Sequence, residues 1–350
     1  MSFVRNCFLL VLAVLFLLLI SEMGYRGYVQ WAKPYYRPSC EPGLGWEFSP
    51  STQHGVGQYS YFINDRGFRD RTSGPWIPWT ESDVRIAVIG DSVTAGPSVS
   101  YEQTYSAQIE TLLRHEGLPA RVVNLGMDAT NTIQHLAILR VKALPLKPQA
   151  VILGYFMNDT EIRFWEKMPP PFEAVMGHFH LGVFLRQRIA QVIRARNEET
   201  RQPAVEKSAQ AGNHSGCAGY PRSILQTYEN SNPPENFDRI LEMARLAGQR
   251  GVYFAVVIFP FEQQVLGICP VSAQDRIKQF LASQGIPFLD LMEPFRKAGP
   301  KKLYQKGDPI HLNADGHRLA AETISNWMVS HQESRRGGLF SKKNLSPFSG

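Results

Sequence analysis

The stretch Arg85 to Gly96, with the sequence RIAVIGDSVTAG, decides the fold of this chain. Its apolar run Ile86 to Ile89 ends at Gly90, a pattern typical of a strand that is buried on both faces of a parallel sheet. The residues that follow supply turn and helix-capping chemistry at the carboxyl end of this strand, where open α/β sheets bind their ligands. Ser92 lies there close to backbone N–H donors, as a nucleophile requires, although Asp91 or Ser92 could equally be a simple helix cap.

Two better-known motifs do not fit this stretch. The nucleophile elbow of α/β-hydrolases requires glycine two residues after the serine, and that position holds Thr94. A phosphate-binding P-loop requires Gly-Lys-Ser or Gly-Lys-Thr after its spacer, whereas Ala95, Gly96 and Pro97 follow here. Ser92 is therefore part of neither site.

From this strand outward, strand-like apolar runs alternate with helical patterns. Four further strands are predicted, at Arg121 to Leu125, Ala150 to Phe156, Val252 to Phe259 and Ile286 to Leu291. A last helix is predicted from about Ala314 to His331. Five strands that alternate with helices predict an α/β fold, in which a five-stranded parallel sheet lies between helical layers in a three-layer α/β/α arrangement.

The remaining segments depart from this alternation. We expect a signal anchor or signal peptide at residues 1–25, an extension rich in aromatic residues and proline at 26–82, the main domain at 83–331 and a disordered basic tail at 332–350. An insertion at residues 160–232 interrupts the main domain, either as a lid or partner surface or as simple elaboration. In the extension we single out only Asn64, Gly67 and Arg69, for which a turn between short strands is the simpler explanation.

The composition indicates a folded, moderately basic protein. Of the 350 residues, 43% are apolar and 19% charged, which excludes a disordered chain, and the formal net charge is +6. No platform of aromatic and basic residues accompanies this charge, so we expect no nucleic-acid partner. The cysteines show no metal-ligand spacing, and we expect no metal or other cofactor. Cys40, Cys217 and Cys269 permit one disulfide without indicating which two of them pair.

An apolar run near the amino terminus, Cys7 to Ile20, predicts contact with a membrane. As a helix this run spans only about 21 Å, against about 30 Å for a bilayer core, which suits the apolar part of an export signal. The residues that follow offer no small-x-small cleavage site, so an uncleaved signal anchor is favoured over a signal peptide. We therefore expect a membrane-anchored protein with its main domain outside the cytoplasm, in the periplasm, or alternatively a secreted one.

Polar groups at three other places in the predicted fold complement Ser92. Gly126 ends the second strand, where it offers an N–H donor, and Asn158 follows the third strand with a side-chain amide. Asp308 precedes His311 by three residues, so its carboxylate can bind one ring nitrogen while the other faces the serine. Each residue alone has a simple explanation as a turn, a cap or a surface histidine, but together they supply the complementary roles of one reaction.

These residues, in this order, resemble the SGNH or GDSL hydrolases. The resemblance covers about Arg85 to His331 and rests on Ser92 in GDS, Gly126, Asn158 in ND, and the histidine of DPIHLNADGH. It implies a flavodoxin-like SGNH hydrolase fold. It also implies that Ser92 is the nucleophile, that His311 is the general base and that Asp308 orients this base. The Ser92 N–H, the Gly126 N–H and the Asn158 side chain would then form the oxyanion hole.

Two positions depart from the family pattern. Val93 replaces the usual leucine after the serine, which we expect to be a harmless change in packing. Phe156 stands two residues before the asparagine, where many members have glycine, and this puts in question the local backbone path and the width of the acyl pocket. The segment with Asn64, Gly67 and Arg69 also resembles one found upstream in exported or anchored members.

The resemblance implies a serine esterase or acyl hydrolase that works through a Ser-His-Asp triad and an acyl-enzyme. Its substrate would be an ester-bearing small molecule, a lipid or an acylated glycan. The same residues would serve an O-acyltransferase that moves acyl groups on cell-surface glycans. A catalytically silent, membrane-tethered scaffold is the alternative from another functional class, and the intact set of Ser92, Asp308 and His311 weighs against it.

Overall fold

The computed structural model describes residues 2–32, 35–39, 41, 43–56, 59–160, 217, 224–228, 236–299 and 302–333. The chain divides into two compact units, residues 1–49 with 163–205 and residues 50–162 with 206–350. Most of the predicted insertion at 160–232 and almost all of the predicted tail at 332–350 lie outside the described residues. The predictions for these two segments therefore stay predictions.

The first unit begins with one long helix, α1 (Ser2–Ala32). Within it, Phe3–Tyr25 is a 23-residue stretch with a mean hydropathy of 2.7 and none of its most apolar part buried. The helix continues well beyond the predicted run Cys7 to Ile20, so the apolar stretch is longer than that run. Its length and composition suit a membrane span, and an export signal meets the same criteria. Later in the unit, β1 (Tyr36–Pro38) pairs antiparallel with β2 (Trp46–Phe48).

The second unit contains the predicted parallel sheet. Its five strands are β6 (Val84–Gly90), β7 (Ala120–Asn124), β8 (Ala150–Phe156), β9 (Tyr253–Phe259) and β10 (Phe288–Asp290). They pair in parallel in the order β10-β9-β8-β6-β7, which confirms the predicted α/β fold. The chain places β7 on one side of β6 and β8 on the other, so the end of β6 is the point of strand-order reversal at which such sheets open a ligand crevice.

Three short strands extend the sheet beyond β7. They are β3 (Thr52–Val56), β4 (Tyr59–Ile63) and β5 (Arg69–Asp70), which run antiparallel to one another. β5 joins the parallel strands through a single pairing of Arg69 with Asn124. Part of the predicted extension thus belongs to the same eight-stranded sheet as the residues predicted to carry out the chemistry.

Helices cover this sheet on both sides. They are α2 (Ser92–Ala95), α3 (Tyr105–His115), α4 (Thr132–Ile138), α5 (Asn236–Gly248), α6 (Glu262–Val265), α7 (Ser272–Ser283), α8 (Met292–Ala298) and α9 (Ala314–Glu333). α3 packs against α9, and α4 packs against α5. These pairs belong to the helical layers of the predicted three-layer arrangement.

The short helix α2 lies directly on the strand ends, and glycine makes this approach possible. A Cβ atom at Gly126 would collide with the backbone of Thr94 and Ala95. A Cβ atom at Gly90 would collide with the side chain of Thr94, which is completely buried. Because only glycine leaves this space, the turn that carries Ser92 is pressed against the sheet at its point of strand-order reversal.

Candidate active site

Ser92 is the first residue of α2 and follows β6 after a single residue, Asp91. Asp91 is the N-cap of this helix, and its carboxylate accepts a hydrogen bond of 2.9 Å from the N–H of Val93. At the other end Gly96 adopts a left-handed conformation with a φ of 67° and donates its N–H to the Ser92 carbonyl oxygen at 2.8 Å. One capped helical turn thus fixes the backbone of Ser92 at the carboxyl end of the sheet.

The structure brings His311 and Asp308 to this serine across 219 residues of chain. His311 Nε2 lies 2.8 Å from Ser92 Oγ, and His311 Nδ1 lies 2.6 Å from Asp308 Oδ2. The other carboxylate oxygen of Asp308 accepts hydrogen bonds from the N–H groups of Ile310, at 2.9 Å, and of His311, at 3.1 Å. Ser92, His311 and Asp308 therefore form a continuous series of hydrogen bonds.

Hydrogen bonds and charges within the Ser92–His311–Asp308 group shift the pKa values of Asp308 and His311. Burial raises the pKa of Asp308, but hydrogen bonds from the His311 ring and from two backbone N–H groups outweigh it and lower the pKa to about 2. For His311, burial favours the neutral ring, but the hydrogen bond to Asp308 and the negative charges of Asp308, Asp91 and Asp128 raise its pKa above the usual value. An ionised carboxylate thus faces a histidine that accepts a proton readily.

Of the two predicted donors on neighbouring strands, one is already engaged. Gly126 lies two residues after the end of β7, and its N–H donates a 2.9 Å hydrogen bond to Asn124 Oδ1. Asn124 in turn donates its side-chain N–H to the carbonyl oxygen of Thr94, at 2.9 Å. To act on a ligand, the Gly126 N–H would have to share or leave this bond.

Asn158 lies in the short 3-10 turn Met157–Thr160 that follows β8. Its side chain makes no hydrogen bond with any other described residue, and its Oδ1 is buried without a partner. The turn is held by the neighbouring Asp159, whose carboxylate accepts the N–H of Phe156 at 2.9 Å. The Asn158 amide therefore lies just after the end of β8 and has no hydrogen-bond partner among the described residues.

Two buried titratable groups that were not predicted as site residues are Asp159, in the turn after β8, and His135, on α4. Asp159 and His135 are both fully buried, with 3.8 Å between the carboxylate and the ring. Burial raises the pKa of Asp159 well above its usual value and lowers the pKa of His135 to about 3, so the ring is neutral. The dipeptide Asn158-Asp159 held a signal for the first of them, because a carboxylate just after a strand often caps a turn.

The segment with Asn64 and Gly67 forms a turn between β4 and β5, which is the simpler of the two explanations given above. The Asn64 side-chain oxygen accepts the N–H groups of Arg66 and Phe68, at 3.0 and 3.1 Å, and Gly67 has a φ of 73°. Arg69 is different, because its buried side chain leaves the turn and reaches the residues at the end of α2.

The two departures from the family pattern are both packed inside the protein. Val93 is 2% exposed and faces the interior from α2. Phe156 is fully buried at the end of β8, where its ring meets that of Phe261 edge-on with 4.7 Å between centroids. The phenylalanine that replaces glycine therefore fills the space between the ends of β8 and β9.

A disulfide joins two of the three candidate cysteines, Cys217 and Cys269. The sequence left this pairing open, and Cys40 lies outside the described residues. Cys269 follows α6, and Cys217 is the one described residue in its part of the predicted insertion. Within the described residues, no group of three or more His, Cys, Asp or Glu side chains is placed to hold a metal ion.

Comparison with models of protein families gives a match that covers the parallel strands from the end of β6 onward. A family model described as "GDSL-like Lipase/Acylhydrolase family" matches residues 88–319. No curated protein matches the chain.

Several solved structures are similar at low identity. A lipase/acylhydrolase from Enterococcus faecalis is 14% identical, with 71% of this chain and 96% of that chain covered and a TM-score of 0.41. A G-D-S-L family lipolytic protein from Desulfitobacterium hafniense is 16% identical, with 70% and 98% covered and a TM-score of 0.39. A two-domain esterase active on acetylated mannans is 15% identical, with 71% and 49% covered and a TM-score of 0.41.

Proposed function

Since this chain belongs to the GDSL-like lipase/acylhydrolase family and is a hydrolase that acts on esters, we propose that it is a serine esterase with Ser92 as its nucleophile. The observation that carries this proposal is the hydrogen-bonded chain from Ser92 through His311 to Asp308. A serine hydroxyl is a weak nucleophile unless a base takes its proton, and the base in turn needs a group that fixes its tautomer. The geometry of these three residues meets both requirements.

In the proposed reaction, Ser92 Oγ attacks the ester carbonyl carbon while its proton passes to His311 Nε2. Asp308 holds the proton on Nδ1 and stabilises the positive charge that develops on the ring. The tetrahedral intermediate then collapses, His311 returns the proton to the leaving alcohol, and an acyl-enzyme on Ser92 remains. Water attacks this ester in the same way, with His311 again as the base, and releases the carboxylic acid.

The oxyanion of the intermediate needs hydrogen-bond donors near Ser92. The Ser92 N–H is at the start of α2, where amide groups have no acceptor within the helix. The Asn158 amide lacks a protein partner among the described residues and is proposed as the second donor. Gly126 is proposed as the third, although its N–H must share its bond to Asn124. Donors placed in advance stabilise the charge as it forms.

The proposal is tested with a fluorophosphonate probe and with short p-nitrophenyl esters. The wild-type protein should bind the probe covalently and hydrolyse the esters. Ser92→Ala should do neither while keeping the melting temperature of the wild type within a few degrees. Labelling of the Ser92→Ala variant at the wild-type level would contradict the assignment of the nucleophile.

We further propose that α1 anchors the protein in a membrane and that the catalytic unit lies outside the cytoplasm. The length and apolar character of Phe3–Tyr25 support the first statement. The Cys217–Cys269 disulfide supports the second, because disulfides persist in oxidising compartments and are rare in the cytosol. Protease added to intact cells with a permeable outer layer should cleave the catalytic unit; full protection would place it in the cytoplasm.

A further inference from the structure

Arg69 lies outside the segment that the family model matches, residues 88–319, yet its side chain ends at the nucleophile's helix. It begins the short strand β5 and is 1% exposed, which makes it one of the largest fully buried side chains among the described residues. One guanidinium nitrogen, Nη1, donates to the carbonyl oxygens of both Ala95 and Gly96. The other, Nη2, donates to the carbonyl oxygen of Val99 at 2.6 Å.

Two of these carbonyl groups, those of Ala95 and Gly96, lie at the end of α2, and the Gly96 carbonyl oxygen also accepts the N–H of Val99 at 3.3 Å. The last carbonyls of a helix have no partner within it, and a helix of one turn gains little stability from its own hydrogen bonds. α2 is such a helix, with four residues, and Ser92 is its first. The end that Arg69 holds is joined to Ser92 by the hydrogen bond from the Gly96 N–H to the Ser92 carbonyl oxygen, at 2.8 Å.

Burying the Arg69 side chain in these surroundings costs the protein stability. Its guanidinium lies over the ring of Tyr61, 4.3 Å from the centroid, and no carboxylate of the described residues is within ion-pair distance. Burial lowers the pKa of Arg69. A buried cation without an ion-pair partner costs stability that an apolar side chain of similar size would not. Retaining arginine here is explained by the three carbonyl groups that its fork of donors can hold at once.

We propose that Arg69 is a positioning residue for Ser92, so that the strands β3 to β5, which precede the family domain, are a working part of the active site. Arg69 fixes the carboxyl end of α2, and this single helical turn holds Ser92 Oγ next to His311 Nε2. This inference rests on the proposed role of Ser92 as the nucleophile. It concerns how that nucleophile is held, not the chemistry that it performs.

The test compares full-length variants at this position. Arg69→Met removes every donor and keeps an unbranched apolar stem that ends where arginine has Nε, whereas Arg69→Lys keeps a cation but cannot hold three carbonyl groups as a fork. Arg66→Met is the matched control, since Arg66 lies in the same turn but is exposed and lies over Trp76, 6.0 Å from the ring centroid. For each variant, kcat and KM with p-nitrophenyl acetate are measured per folded molecule, together with the rate of fluorophosphonate labelling and the melting temperature.

We expect Arg69→Met to lose about 100-fold in kcat and in labelling rate, with KM within a few-fold of the wild type, because a small displacement of a nucleophile has this effect. Arg69→Lys should lose less, and Arg66→Met should match the wild type. A merely structural role would lower the melting temperature and leave kcat per folded molecule unchanged, and that result would overturn the proposal. If Arg69→Met does not fold, the Arg69→Lys variant tests the proposal instead. A wild-type kcat in Arg69→Lys would overturn the proposal.

Failure of this inference is distinguishable from failure of the proposed function. Labelling of the wild type but not of Ser92→Ala establishes the nucleophile independently of Arg69. Equal labelling rates in the wild type and Arg69→Met would then remove Arg69 alone from the account.

Discussion

Replacing Asn158 by alanine removes an amide that the proposed mechanism places at the oxyanion and that supports little else in the protein. Neither its nitrogen nor its oxygen bonds to a described residue, and the turn around it is held by Asp159. We therefore expect Asn158→Ala to change the free energy of unfolding by about 1 kcal/mol or less. A loss of activity in this variant would then reflect the reaction and not the fold.

The expected loss in kcat depends on how many oxyanion donors remain in the Asn158→Ala variant. Loss of one oxyanion donor costs about 100- to 1,000-fold in kcat, or about 2.7 to 4 kcal/mol of transition-state stabilisation. Here the Gly126 N–H is engaged by Asn124, whereas the Ser92 N–H and the Asn158 amide have no acceptor among the described residues. With fewer donors to share the charge, the loss in Asn158→Ala should lie near the upper end, about 1,000-fold.

The assay is steady-state hydrolysis of p-nitrophenyl acetate, with the enzyme concentration set by active-site titration and the fold checked by thermal unfolding. Asn326→Ala is the matched control, because Asn326 is an exposed asparagine on α9. It should retain wild-type kcat. If Asn158→Ala keeps its fold and its kcat stays within about three-fold of the wild type, the oxyanion is held by other groups and the reasoning is refuted.

Further predictions concern pH, the orienting carboxylate, the disulfide and the acyl acceptor. Because His311 acts as a base only when neutral and its pKa is raised, kcat/KM should fall with decreasing pH with a midpoint above about 6.5; a flat profile from about pH 5 to 8 would contradict this. Asp308→Asn should reduce kcat by up to about 10,000-fold and shift that midpoint downward; an unchanged midpoint would show that Asp308 does not act on the ring. Cys217→Ser should lower the free energy of unfolding by about 4 kcal/mol, since the bridge closes a loop of 52 residues; an equal denaturation midpoint with and without reductant would argue that the bridge is not formed. With a glycan present in excess, the free acid should be the main product, and a main product of acylated glycan would instead identify an acyltransferase.

The parallel sheet was predictable because its strands are continuous apolar runs. Val84–Gly90 and Ala150–Phe156 are almost wholly buried, and such runs differ clearly from the helical patterns between them. The antiparallel strands β3 to β5 were not predicted one by one, because they are two to five residues long and their apolar residues follow no clear period.

The part of the candidate site that could be predicted from spacing alone is the pair Asp308 and His311. Asp308 and His311 are three residues apart, so their contact follows from local chain geometry. Both lie in the loop before α9, and their meeting with Ser92 was expected from the family resemblance. The bond between Gly126 and Asn124 and the contacts of Arg69 could not be predicted in this way. Arg69 binds backbone carbonyl groups, which every residue carries, so no sequence pattern marks its partners.

The most direct measurement for the central claim is the location of the covalent adduct. Wild-type protein is reacted with the fluorophosphonate probe, digested, and analysed by peptide mass spectrometry with fragmentation. We expect a single modified residue, Ser92, at a stoichiometry near one per chain. An adduct on another residue, or a protein that hydrolyses esters while Ser92 remains unmodified, would contradict it.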